Sequence, residues 1–256
     1  MSSRTRLVAS ALLVAGLTVV GTAAAQGTTT DKPAAVSALA SLRGKVVVID
    51  PGHNGQNWSH GSIINKQVFV VNRWKTCDTT GTATNKGYPE SAFTFDVATR
   101  LTRILKAAGA KVVLTRPNNR GVGPCITERA AIGNRVHANV AISIHGDGGP
   151  PHGTGFTVAA PANVGPNRAI IKPSHTFAMD LIKAYHEVTN EPPANYYGKN
   201  GLITRNDLGG LNLSKVPKVF IECGNMRNST DAARMSNPAW RQKAAQGIAL
   251  AIARYL

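Results

Sequence analysis

Val46-Val47-Val48-Ile49-Asp50-Pro51-Gly52-His53 is a run of branched apolar residues that breaks at an Asp-Pro-Gly turn and presents a histidine. Such a run predicts a buried strand, because β-branched side chains pack well on a pleated surface. Val140-Ala141-Ile142-Ser143-Ile144 leads to His145 in the same way. A histidine at the exit of a buried strand is held rigidly and faces a crevice, so the pair marks a candidate metal centre. Strand-like runs occupy 45–50, 111–115, 140–144, 155–159 and 218–222, and the segments between them have helical period. Phe93, Val97, Leu101, Ile104, Leu105 and Ala108 recur at intervals of three and four and predict an amphipathic helix over 90–108, ended by Gly109. Segments 127–137, 174–189 and 237–256 are further helix candidates. This alternation predicts a single-domain α/β fold with a mostly parallel sheet, helices on both faces, and the site at the carboxyl ends of the strands.

Residues 1–25 have the layout of an export signal peptide, with Arg4 and Arg6, an apolar stretch over 7–20, and Ala23-Ala24-Ala25 as a small-residue cleavage site. The apolar stretch is shorter than the roughly 20 residues that span a bilayer, which argues against a transmembrane anchor. Residues 26–44 read as a linker. Residues 45–256 then form one domain, within the roughly 230 residues that remain after cleavage. Removing Arg4 and Arg6 from 29 basic residues leaves 27 against 13 acidic ones, a net +14. Such a charge favours residence on polyanions. The basic residues are scattered and aromatics amount to 5%, so export makes an anionic cell envelope a better partner than nucleic acid. No long apolar seam is evident, and a monomer is expected. Cys77 and Cys125 lie in glycine- and threonine-rich sequence, where an oxidising compartment permits a disulfide contributing about 4 kcal/mol; the alternative is two free thiols. Cys223 is expected to be a buried free thiol.

Two imidazoles and a carboxylate are a common ligand set for catalytic zinc, one ion per chain, with the fourth position left open. Glu90, at a helix start after Gly87-Tyr88-Pro89, supplies the carboxylate. The three are too far apart in sequence for spacing to argue by itself; their placement at element ends carries the reading. Glu222 follows Val219-Phe220-Ile221, where a carboxylate is costly without a partner, so it is either half of a salt bridge or a general base beside the metal. His60, His152, His175 and His186 lie in loops or at helical positions with charged neighbours, and His137 ends a helix, where a cation is mildly favourable; His152 is the best substitute ligand. Asp50 either shapes its turn or orients a ligand imidazole. Asp147, Arg205 and Asn225 are candidate substrate contacts through their closeness to the motifs.

The ordered set Val48-Ile49-Asp50-Pro51-Gly52-His53, Glu90, Ser143-Ile144-His145-Gly146-Asp147 and Ile221-Glu222-Cys223-Gly224-Asn225-Met226 resembles the zinc-dependent N-acetylmuramoyl-L-alanine amidases of bacteria. Leu114-Thr115-Arg116, Glu128-Arg129 through Asn134, and Asp207-Leu208-Gly209-Gly210-Leu211-Asn212-Leu213 fit the same pattern. The layout is similar to the small, secreted, single-domain actinobacterial type, and the match runs from about residue 45 to the end. The resemblance implies zinc bound by His53, Glu90 and His145, with Glu222 as the catalytic carboxylate. It further implies hydrolysis of the amide joining the lactyl group of N-acetylmuramic acid to L-alanine, in peptidoglycan outside the cell. Cys223 departs from the small or aliphatic residue common there. The 55–87 stretch, with Trp58, Trp74 and Cys77, reads as a loop over the cleft, and no inserted blocking helix is expected. Two other readings stand beside this one: a zinc metallocarboxypeptidase acting on wall peptides, and a basic wall-binding module without catalysis.

Overall fold

The computed structural model describes residues 42–256, so the export signal and most of the linker lie outside the described residues. Strands β1 (Val46–Pro51), β4 (Lys111–Leu114), β5 (Val140–Asp147), β6 (Thr157–Pro161), β7 (Leu202–Arg205) and β8 (Lys218–Asn225) form one sheet in the order β4-β1-β5-β8-β6-β7. Neighbouring strands are parallel except β6 and β8, which run antiparallel. The sheet is thus mostly parallel, as the alternation of segments predicts. A short hairpin, β2 (Gln67–Phe69) with β3 (Trp74–Thr76), stands apart.

Alternation of side chains across the sheet divides the molecule chemically. Val47, Ile49, Val140, Ile142, Ile144, Val219, Ile221 and Cys223 point into the main hydrophobic core. The other face carries a small apolar cluster with Val48 and Ala141, and then turns polar at Asp50, Ser143, His145, Lys218 and Glu222. The functional face is therefore the one with the thinner apolar cover.

The main core is closed by helices α2 (Glu90–Ala107), α4 (Ile171–Thr189) and α7 (Pro238–Tyr255). Phe93, Val97, Leu101 and Leu105 of α2 are fully buried, and Gly109 follows the helix at φ +89, a left-handed turn that glycine adopts without strain. Asn237 caps α7 by accepting from the Ala239 N–H, with Pro238 in the first turn. A Cβ on Gly247 would stand 3.1 Å from the Tyr185 Cα, so α7 and α4 meet almost backbone to backbone. The opposite face receives α3 (Ile126–Arg135) and the single turn α5 (Gly209–Asn212), while α6 (Ser229–Ser236) leads into α7. Leu42, assigned by sequence to the linker, is buried in the main core.

The 55–87 stretch is more structured than a loop. It holds a helical turn, α1 (Gly61–Ile64), and the β2–β3 hairpin, and the Cys77–Cys125 disulfide ties it to the start of α3. Cys223 is free and buried.

Asp50 resolves differently from the imidazole-orienting role considered above. Its carboxylate accepts from Arg129 Nη1 (2.9 Å), Lys218 Nζ (3.0 Å), Ser143 Oγ (2.6 Å) and Thr115 Oγ1 (2.7 Å), and hydrogen-bonds to neither candidate ligand histidine. Burial opposes its ionisation, but Lys218 and Arg129 outweigh burial and hold it well below the ordinary carboxylate range. A depressed folded pKa contributes stability above the unfolded value of about 4, and that contribution is lost as pH falls. Asp50→Ala leaves the buried Lys218 without a carboxylate partner and Arg129 with Asp78 alone, and is expected to destabilise the fold by about 3–5 kcal/mol. The check is the denaturant midpoint near neutral pH, where an unchanged midpoint would refute the role.

Candidate metal centre and active site

Strands β1, β5 and β8 run parallel, so their carboxyl ends reach the same edge of the sheet. His53 follows β1 by two residues, His145 lies near the end of β5, and Glu222 pairs in register with His145 from β8. Glu90 arrives from the first position of α2. One donor atom from each of His53, Glu90 and His145 lies within 4.8 Å of the others. His53 Nε2 is 3.2 Å from Glu90 Oε2, and His145 Nδ1 is 2.8 Å from Glu90 Oε1. Zinc ligands stand about 2.0–2.2 Å from the ion, so three N/O donors gathered at this scale, of the types zinc prefers, fit the ion.

Two glycines make the convergence possible. The His145 ring occupies the space where a Cβ on Gly52 would project, and a Cβ on Gly81 would fall 2.7 Å from His53 Cδ2 and 2.8 Å from Glu90 Oε2. Gly81 also has φ +75, and His53 itself is left-handed at φ +56. A non-glycine residue in that region is strained and persists only where its surroundings fix it.

Asp78 and Arg129 do the fixing at His53. The ring Nδ1 lies 3.1 Å from Asp78 Oδ1 and 3.0 Å from the Thr79 carbonyl, so an Nδ1–H donates there and Nε2 is turned toward Glu90. Arg129 donates through Nη2 to the His53 carbonyl, to Asn54 Oδ1 and to Asp78 Oδ2, through Nη1 to Pro51 O and Asp50 Oδ1, and through Nε to Pro124 O. The orienting carboxylate is thus Asp78 rather than Asp50. Nothing adjacent in sequence singles out Asp78 except Cys77, whose bridge fixes the loop. Arg129 was visible only as part of the Glu128-Arg129 motif. Asp78→Asn is expected to weaken zinc binding by about tenfold or more, as loss of a ligand-orienting partner does. Chelator competition measures this, and unaltered affinity would remove Asp78 from the centre.

Electrostatically, burial disfavours the charged form of His53, but Glu90 and Asp78 override it and raise its pKa to about 10. Burial likewise opposes ionisation of Glu90, yet His53 and His145 hold it far below the usual range. For His145 burial wins, and its pKa is lowered. A cation at this point competes with the proton of His53, so metal occupancy falls as pH drops.

Glu222 occupies the same cavity, a cleft of about 380 Å³ lined also by Asp147, Thr82, Lys75, Leu208 and Phe220. Its Oε2 is buried without a hydrogen-bond partner among the described residues. The salt-bridge alternative for Glu222 therefore finds no partner there. Burial, then the charges of Glu90 and Asp147, push its pKa well above the ordinary value. The His145 ring stacks on Phe220, with centroids 4.2 Å apart, which sets the floor between the two strands.

The remaining candidates separate. Asp147 lines the cleft, its Oδ2 accepting from the Tyr196 hydroxyl at 2.7 Å. Arg205 is engaged by Asp207 through two hydrogen bonds and by the Tyr197 hydroxyl, beside a side cavity of about 150 Å³ that also reaches Glu222. Asn225 is fully buried and lines neither cavity; its amide donates to the Pro150 and Gly153 carbonyls and braces that turn. His152 is exposed and takes no part in the three-residue cluster.

A family model described as N-acetylmuramoyl-L-alanine amidase matches residues 47–254. N-acetylmuramoyl-L-alanine amidase Rv3717 of Mycobacterium tuberculosis is 41% identical over 219 residues, 85% of this chain and 88% of that protein. The crystal structure of the N-acetylmuramyl-L-alanine amidase Ami1 from Mycobacterium smegmatis matches with a TM-score of 0.79 at 41% identity, covering 84% of this chain and 97% of that one. An amidase from Clostridium difficile 630 shares the fold at a TM-score of 0.64 and 20% identity, over 84% of this chain and 97% of the other. The matched segment runs from β1 into α7 and contains all four motifs, and on these grounds the chain belongs to the N-acetylmuramoyl-L-alanine amidase family.

Proposed function

We propose that this enzyme is a zinc hydrolase that cleaves the amide between the lactyl group of N-acetylmuramic acid and L-alanine of the peptidoglycan stem peptide. The observation that carries the reading is the convergence of His53, Glu90 and His145 in one cleft with the unpartnered carboxyl of Glu222. His53, Glu90 and His145 would hold the ion, which would supply Lewis acidity to the substrate carbonyl and lower the pKa of the attacking water. Glu222 takes the proton of the attacking water as the new C–O bond forms, then delivers it to the leaving nitrogen as the C–N bond breaks. Its buried, anionic surroundings raise its proton affinity, which suits a group that must hold a proton between the two steps. Asp78 keeps Nε2 of His53 turned toward Glu90, where the ion would be held, and Arg129 holds the His53 backbone.

Asp147 and Arg205 are the candidate substrate contacts, Asp147 at the wall of the cleft and Arg205 at its side cavity. We place the enzyme at the cell wall, exported by residues 1–25, with its basic surface drawn to the anionic envelope. Among the described residues no helix is long and apolar enough to cross a membrane. Incubating the zinc-loaded protein with a muramyl peptide and identifying products by mass spectrometry tests the bond cleaved. N-acetylmuramic acid plus intact peptide is expected; release of a C-terminal amino acid would replace this reading by a carboxypeptidase, and unchanged substrate by a binding module.

A further inference from the structure

Large exposed apolar side chains are concentrated in one segment of the chain. Among the described residues they are Trp58 (75% exposed), Trp74 (66%), Phe69 (50%), Ile63 and Met179, and all but Met179 belong to the segment that carries α1 and the β2–β3 hairpin. Concentration of this kind on a domain surface marks an interaction site rather than incidental exposure. Phe69 and Trp74 are register partners across the hairpin, their ring centroids 5.4 Å apart at 54°. Lys75 and Thr76, which follow Trp74 directly in β3, both line the catalytic cleft. The aromatic pair therefore stands on the hairpin next to the rim of that cleft.

The hairpin that presents the pair is anchored. Asn212 Nδ2 donates to the Val70 carbonyl at 3.0 Å, Asn72 Nδ2 to the Asn206 carbonyl at 2.8 Å, and the strand after Trp74 leads into the Cys77 disulfide. Rings on a fixed support lose little freedom on engaging a ligand, which is what a binding platform requires.

Substrate chemistry identifies the occupant, given the amide-hydrolysis reading on which this inference rests. The scissile amide hangs from a sugar by a short lactyl arm, so with the amide at His53, Glu90 and His145 the pyranose ring must lie near the cleft mouth. The C–H faces of a pyranose are apolar and weakly positive, and they pack on the electron-rich face of an aromatic ring. We propose that Phe69 and Trp74 form a stacking platform for the glycan strand, seating a sugar ring at or next to the N-acetylmuramic acid whose stem is cut. The platform makes the enzyme favour polymeric glycan over a single muramoyl unit.

The experiment compares the full protein with Phe69→Ala/Trp74→Ala and with Trp74→Phe. Both residues are exposed, and matching melting curves confirm that the variants fold. Binding to peptide-free glycan strands is expected to weaken about tenfold in the double variant and to be largely retained in Trp74→Phe. On intact peptidoglycan kcat/KM should fall several times further than on a muramoyl dipeptide. Unaltered glycan affinity, or equal loss on both substrates, would overturn the platform. So would a concentration-dependent dimer or vesicle binding that the double variant abolishes, since the patch would then serve a second copy or a lipid surface. If the native protein binds glycan through these rings yet leaves the muramoyl dipeptide uncut, the platform stands and the amide-hydrolysis reading falls.

Discussion

Glu222→Gln is expected to keep one zinc ion per chain and to lose about 10²–10⁴-fold in kcat, the range supplied by a positioned general acid–base group. Glutamine preserves the shape of the side chain in β8, so its register with His145 is retained. What it removes is the ability to take and return a proton. Burial and the charges of Glu90 and Asp147 favour the protonated form of Glu222, and the base form is gained as pH rises; with zinc held saturating, so that metal loss at low pH does not contribute, the acidic limb of the kcat profile belongs to Glu222. That limb should vanish in the variant, a change that a merely structural role would not produce. Metal content by elemental analysis and kcat against pH give the decision. Near-native turnover with an intact acidic limb would take Glu222 out of the mechanism.

His53→Ala should lose zinc, with affinity reduced on the order of 10³-fold, since metal affinity depends on the full set of deprotonated donors. Activity disappears with the ion. His53 stands at φ +56, so alanine also introduces backbone strain of about 1–2 kcal/mol. Asparagine tolerates that region, and His53→Asn therefore separates the two effects: it should melt close to the native protein and still fail to bind zinc tightly. Glu90, hydrogen-bonded by the Thr82 and Gly146 N–H groups, stays anchored in either variant, which keeps the rest of the centre in place. Full zinc occupancy in both variants would refute the ligand role.

The two branched runs ending at His53 and His145 were legible because β-branched continuity and turn residues are local signals. The helix over Glu90–Ala107 was legible for the same reason, its apolar positions repeating every three to four residues. Shorter elements were not. Strand β7 has four residues of mixed exposure, and the β2–β3 hairpin has three on each side, too few for alternation to separate them from loop sequence. Helix α6, eight residues after Asn228, was likewise missed, although its cap residue was a signal that could have located it. Asp50 and Asn225 were drawn to the site by adjacency, and both turn out to be bound up in buried hydrogen bonds. Adjacency in sequence does not reveal which face of a strand or which side of a turn a side chain takes.

Sequence alone determined the class of fold, the two histidines at strand exits, and the carboxylates that accompany them, because propensity, period and turn chemistry are written in neighbouring residues. Only the tertiary structure decided that His53, Glu90 and His145 meet within 4.8 Å, that Asp78 and Arg129 hold His53 in a strained backbone, and that Glu222 is left without a partner beside them. Those facts depend on the register of three parallel strands and on space vacated at Gly52 and Gly81, quantities set by packing between segments distant in the chain.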